Sequence, residues 1–219
     1  MIPDYYLNVD KCNKVYQNII PFLEKTPIAI FRGSQTGGIY NMNEVLLRKI
    51  PRLNGVHLSL MYPYLLDIKI INTYTCQCNG DAKYIDYMNR TFGKPANSIP
   101  IEQFNKYRYL ICFDGNSGPP YERPEAIMMS GSVPLIQTKY HKYWGFLLED
   151  NIHYIKIKDD LTNLVDTVVY LNSNSGIAEN IAKNAKELAE AVILPEAQEQ
   201  YFIEVMNRIS EYTQHVCLD

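Results

Sequence analysis

Tyr107-Arg108-Tyr109-Leu110-Ile111-Cys112-Phe113 reads as the clearest buried strand of the chain, and it runs straight into Asp114-Gly115-Asn116-Ser117-Gly118-Pro119-Pro120. An apolar run without polar alternation describes a strand covered on both faces, and a cluster of turn formers describes the loop that ends it. The same pattern stands earlier, where Pro27-Ile28-Ala29-Ile30-Phe31 breaks into Arg32-Gly33-Ser34-Gln35-Thr36-Gly37-Gly38. Leu65–Ile71, Ser132–Gln137 and His153–Ile157 read as three further strands. Helices are expected at Val15–Phe22, Asn43–Lys49, Ala82–Phe92, Arg123–Met129, Tyr140–Leu148 and Leu161–Leu171, the last with Asp159 or Asp160 as its cap. Behind Asn174 and Ser175 a long amphipathic helix should share Ile177, Ile181, Ala185, Leu188 and Val192 on one face, and Gln198–Glu211 closes the chain.

Strands alternating with helices predict an α/β fold: a Rossmann-like parallel sheet with helices on both faces. The expected organisation is a helical segment over residues 1–26, the Rossmann-like domain over 27–194 and a terminal helix over 195–219. Ligands of such sheets bind beyond the carboxyl ends of the strands, where the strand order reverses. The two polar loops follow Phe31 and Phe113, so a ligand is expected between them.

Composition narrows the partners. A net charge of −3 over 219 residues, with Lys and Arg scattered, gives no basic stripe for nucleic acid and favours a specific anion pocket. The five cysteines include a Cys76-x-Cys78 pair with no second pair at metal-ligand spacing, which argues against zinc; Cys112 reads as a small core residue. Free thiols, no signal-peptide pattern after Met1 and no apolar run near the ~18 residues of a membrane span lead to the expectation of a soluble, cytoplasmic protein.

In the first loop, glycines let backbone N–H groups approach an anion, Ser34 and Thr36 add hydroxyls, and the following helix would bring its positive end to the same point. A phosphate is the natural guest, although a plain strand-to-helix turn also fits. The second loop repeats this logic with Gly115, Asn116, Ser117 and Gly118, and Arg123 opens the next helix as a bidentate phosphate ligand or an ordinary surface residue. Asp114 suits a sugar hydroxyl or a helix cap, and Gly131 and Ser132 begin the next strand beside the loop. No Ser–His–Asp arrangement and no G-x-S-x-G elbow is present. No Asp-x-Asp occurs either, so leaving-group charge would fall to arginines and helix N-termini.

With those loops in place, the chain resembles glycosyltransferase family 90, which includes protein O-glucosyltransferases, O-xylosyltransferases and fungal capsule-associated transferases. The matching pieces are Phe31-Arg32-Gly33-Ser34, Lys106-Tyr107-Arg108-Tyr109-Leu110 leading to Asp114-Gly115-Asn116, Arg123, and Ser130-Gly131-Ser132. His153-Tyr154-Ile155, Asp160-Leu161 and Ile181-Ala182 follow in family order, and the likeness runs from about Tyr6 to about Leu194. It implies the donor-binding domain of a GT-B enzyme, an inverting mechanism without metal or other cofactor, and UDP-glucose or UDP-xylose as donor and co-substrate. It also implies that Arg123 contacts the donor diphosphate and that the Phe-Arg-Gly-Ser loop lines the donor site.

The chain departs from that pattern in three places. Gln35 stands where members often carry Arg, Pro119 and Pro120 lengthen the second loop, and only about thirty residues precede Phe31. Members place a first domain there with the catalytic Asp, so the usual base has no equivalent; Asp114 is the candidate base or sugar contact, with Asp4 and Asp10 behind it. The expected donor contacts are Arg32, Gly33, Ser34, Gln35, Thr36, Gly115, Asn116, Ser117, Arg123 and Ser132. The resulting expectation is inverting transfer of glucose or xylose from a UDP-sugar to a hydroxyl of a glycan or protein-linked glycan, on a capsid protein or a surface polysaccharide. The alternative is a UDP-sugar- or glycan-binding module without transfer activity. Small size and a Tyr/Asn/Ile-rich composition favour a viral source, acting in the host cytoplasm, over a bacterial one.

Overall fold

The computed structural model describes residues 14, 15, 17–37, 50–71, 82–116, 123–139 and 144–216. Thr26–Gly33 (β1), Leu66–Ile70 (β2), Tyr107–Phe113 (β3), Val133–Gln137 (β4) and Ile155–Lys156 (β5) form one parallel sheet in the order β2-β1-β3-β4-β5. From β1 the chain moves outward to β2, then crosses back to lay β3 on the other side of β1. The order therefore reverses between β1 and β3, and ligands of such sheets bind beyond the carboxyl ends at that point. The helices are Pro51–Met61 (α1), Ala82–Phe92 (α2), Arg123–Met129 (α3), Leu164–Ser173 (α4), Ser175–Ile193 (α5) and Pro195–Val216 (α6).

The period-two alternation of strands sorts the apolar residues to two sides. On one side Phe31, Ile68, Ile111 and Leu135 pack with Leu53 and Val56 of α1, Met88 of α2 and Val168 of α4. On the other, Ile30, Leu110, Cys112 and Ile136 pack with Ile127 of α3 and with Phe104, from the 3-10 turn Ile101–Lys106. Both faces are covered, as expected for strands without polar alternation. Helix α5 joins the layers: Ala178, Ile181 and Ala182 enter the first cluster, while Ala185, Ala189 and Ile193 pack with Met128, Met129 and Trp144.

Several local expectations are corrected. Helix α1 was not anticipated, because Pro51 reads as a stop; here it stands at the first helical positions, where its missing N–H costs nothing. The expected helix at Asn43–Lys49 lies outside the described residues. The Val15–Phe22 stretch holds a turn at residues 17 and 18 and then a 3-10 turn at Phe22–Glu24. Of Tyr140–Leu148, only a 3-10 turn at Gly145–Leu147 is helical among the described residues. Helix α4 begins at Leu164 rather than Leu161, because Asp160 spends its Oδ1 on the N–H and hydroxyl of Thr162 and Leu161 turns left-handed at φ 60°. On α5 Ile181 and Ala185 of the expected stripe are buried, together with Ala178, Ala182, Ala189 and Ile193, whereas Leu188 and Val192 are half-buried and Ile177 is exposed: alanines let the helix approach the sheet closely. Among the described residues no helix is long and apolar enough to cross a membrane.

Candidate functional site

The two loops expected to hold a ligand meet at the switch point. The N–H of Gly37 donates to Oδ1 of Asn116 at 3.0 Å, and the N–H of Thr36 folds back to the Ser34 carbonyl at 2.9 Å. Gly37 sits at φ 89°, and a Cβ there would stand 2.5 Å from the carbonyl oxygen of Asp114. Only glycine lets the loops approach this closely. Gly33 has a related role, since a Cβ would meet the Phe31 ring, which lies over that bare backbone. Gln35 is buried and donates from Nε2 to the Tyr84 hydroxyl of α2 at 2.9 Å, while its Oε1 has no hydrogen-bond partner among the described residues. Ser34, Thr36 and Gly115 are half-buried beside these contacts; Ser117 lies outside the described residues.

Beneath both loops is a residue that sequence reasoning missed. Arg52, in the first turn of α1 and 3% exposed, donates from Nε to the Asp114 carbonyl at 2.9 Å and from its two terminal nitrogens to the Ser34 and Phe113 carbonyls at 2.6 and 3.2 Å. Its guanidinium also lies 5.3 Å from the centroid of the Phe31 ring. The planar fork of arginine suits three acceptors from two loops. The Pro51-Arg52 pair marks a helix start, but no local pattern marks these contacts.

The expected arginines divide. Arg32 turns to the neighbouring strand: its guanidinium donates to the Asp67 carbonyl at 2.7 Å and meets the Asp67 carboxylate at 2.5 Å. Burial works against ionisation of Asp67, but Arg32 and then Lys69 outweigh it and hold the carboxyl below its usual range. The charge of Arg32 is thus met within the sheet. Arg123 is different. It opens α3 with its guanidinium 4.9 Å from the Phe31 centroid and 5.9 Å from that of Phe104, and burial draws its pKa below the ordinary value. Among the described residues no hydrogen bond or ion pair joins it. Arg123 is thus a partly buried cation at a helix start, stacked on two aromatic rings.

Asp114 joins a polar network along the carboxyl rim of the sheet. Its Oδ2 accepts from the Lys139 N–H at 2.9 Å, and its own N–H points to Gln137 Oε1 at 3.3 Å. Gln137 donates to Asp159 at 2.9 Å, and Lys139 pairs with the same carboxylate at 3.2 Å. The Gln137 amide, followed by Lys139, holds Asp159 below its usual range against a smaller effect of burial. The Oδ1 of Asp114 is buried with no hydrogen-bond partner among the described residues.

Ser132 is not brought to this site. It precedes β4 at the opposite, amino end of the sheet, where its Oγ donates to the Tyr107 carbonyl at 2.7 Å and accepts from Lys25 Nζ at 3.0 Å. Lys25 also donates to the carbonyls of Asn105 and Ser130, and burial lowers its pKa from 10.5 to about 8. The Ser130-Gly131-Ser132 piece thus closes the base of the sheet. His153 is likewise structural, its Nδ1 accepting the Glu149 N–H at 3.1 Å. Among the described residues, no three His, Cys, Asp or Glu side chains gather as a metal-ligating group. The Cys76–Cys78 pair lies outside them.

Sheet order and the helices on both faces define a Rossmann-like domain of the GT-B type. The chain belongs to glycosyl transferase family 90, whose profile matches residues 9–216. Human protein O-glucosyltransferase 3 is 27% identical over 191 residues, covering 87% of this chain and 33% of that protein. An uncharacterized protein of Invertebrate iridescent virus 3 is 22% identical over 201 residues, 90% of this chain and 18% of its own length. The chain spans about a third or less of the length of these relatives. In fold it is similar to Anabaena HepE, solved in complex with UDP and glucose, with a TM-score of 0.53 at 12% identity over 93% of this chain and 53% of HepE.

Proposed function

We propose that this chain binds a UDP-sugar in the crevice between the carboxyl ends of β1 and β3 and takes part in inverting, metal-independent transfer of glucose or xylose to a glycan hydroxyl. The observation that carries the reading is Arg123, a half-buried cation beside the switch point with no anionic partner among the described residues. Family membership and the UDP and glucose bound by HepE support a diphosphate as the missing anion. In transfer, the acceptor oxygen attacks the anomeric carbon from the face opposite the nucleotide, the bond to the β-phosphate oxygen breaks, and UDP leaves with its negative charge. Arg123 and the loop N–H groups would stabilise that charge, with Ser34 and Thr36 as hydroxyl donors. Asp114 Oδ1 is the available acceptor for a sugar hydroxyl or for the proton of the attacking one.

A second reading is a donor-binding module without transfer. The engagement of Asp114 Oδ2 by Lys139 favours it, because that carboxylate already has a structural duty. Incubation with a panel of UDP-sugars, with and without EDTA, separates the two. Slow UDP release, or transfer to a simple glycoside, supports the enzyme; tight UDP binding without turnover supports the module. Absence of UDP binding overturns both.

A further inference from the structure

The three hydrogen bonds of Arg52 described above all end on main-chain carbonyls, and this has a directional consequence. A trans peptide holds its C=O and N–H on opposite sides. With the Ser34 carbonyl held by Arg52 at 2.6 Å, the N–H of Gln35 points away from Arg52; with the Asp114 carbonyl held at 2.9 Å, so does the N–H of Gly115. Among the described residues neither of these amides donates a hydrogen bond. One belongs to the loop after β1 and the other to the loop after β3, and the Gly37–Asn116 bond ties those loops together.

We propose that Arg52 is a positioning residue that aims the Gln35 and Gly115 amides as a two-amide anion subsite, split across the switch point, for the phosphate groups of the nucleotide. The proposal rests on the donor-site reading above. Arginine is needed for geometry rather than charge: three separate nitrogens reach three carbonyls, whereas a lysine offers its donors from one point. Without the fork, the Asp114–Gly115 peptide is free to turn and present its carbonyl oxygen to the anion instead of its N–H, and the Ser34 carbonyl is left with the Thr36 N–H as a weaker restraint.

The test uses the full chain, as wild type, R52K and R52M, with folding checked by circular dichroism and thermal melting. In 15N-labelled wild type, UDP should move the Gln35 and Gly115 amide protons downfield together. R52K keeps the charge but should bind UDP about tenfold more weakly, the value of one charge-assisted hydrogen bond, and R52M at least as weakly, with neither amide shifting as in wild type. A folded variant that binds UDP within about twofold of wild type overturns the proposal, as do wild-type amides that stay still while UDP binds. If both variants fail to fold, the wild-type spectra decide. If wild type does not bind UDP, the donor-site reading fails by itself, and inorganic pyrophosphate becomes the probe: a joint shift of both amides keeps the subsite, and no shift removes it.

Discussion

The N–H of Gly37 donates to the side chain of Asn116 at 3.0 Å, joining two loops that are 79 residues apart in the chain. This bond crosses the point where the strand order reverses, beside which the nucleotide is proposed to sit. Both loops become parts of one surface, and a change in either is expected to be felt by the other.

Gly37→Ala tests that closeness. An L-residue at φ 89° is strained by about 1–2 kcal/mol, and its Cβ would also press on the Asp114 carbonyl. The variant should retain the sheet by circular dichroism yet lose UDP affinity by about tenfold or more in calorimetric titration. Wild-type affinity would mean that the loops need not meet for binding.

Arg123→Ala removes the candidate diphosphate contact. Charge-assisted hydrogen bonds of about 1.5–3 kcal/mol correspond to a loss of roughly 10- to 150-fold in UDP affinity. Because the lost guanidinium is half-buried and partly desolvated without a described anionic partner, the melting temperature should hold or rise. Unchanged affinity in a folded variant would remove Arg123 from the site.

Asp67→Asn separates the arginine bound within the sheet from the one proposed to meet the ligand. Breaking the partly buried pair with Arg32 should cost about 2 kcal/mol at neutral pH and leave UDP affinity almost unchanged. The Asp67 carboxyl is held below the unfolded value, so its stabilisation is present above about pH 4 and is lost as pH falls through the folded value. The stability gap between wild type and variant, read from urea melts, should therefore narrow below pH 4.

Lys25 should leave an alkaline signature. Its folded pKa of about 8 lies below its ordinary 10.5, so between these values the unfolded chain binds more protons. Its contribution makes the protein more stable as pH rises through that window and is flat below it. Lys25→Met should remove that slope in denaturant melts and, by leaving the Asn105 and Ser130 carbonyls without their donor, lower stability at pH 7 by about 2 kcal/mol.

Cys112 is fully buried on the α3 side of the sheet, and burial pushes its thiol up to about 12. Iodoacetamide at pH 8 should leave it unmodified in the native protein, as mapped by mass spectrometry, and alkylate it once guanidinium unfolds the chain. Rapid labelling of the native thiol would contradict this packing.

The sequence by itself determined the strands, the parallel sheet and the two loops that face each other. Those properties follow from contiguous residues: apolar runs at Pro27–Phe31 and Tyr107–Phe113, each ended by turn formers. It also placed Arg123 at a helix start. Only tertiary structure decided what each polar side chain does, because partners come from distant chain. Arg32 pairs across 35 residues with Asp67 and leaves the ligand site; Ser132 lies 107 residues from Lys25 and belongs to the far end of the sheet. Arg52 reaches across 62 residues to Asp114, and its role has no local signature at all. Periodicity records which face of an element is buried, but a guanidinium can satisfy its donors anywhere within its reach. That choice is made when the strands come together, and it separates a structural arginine from one left open to an anion.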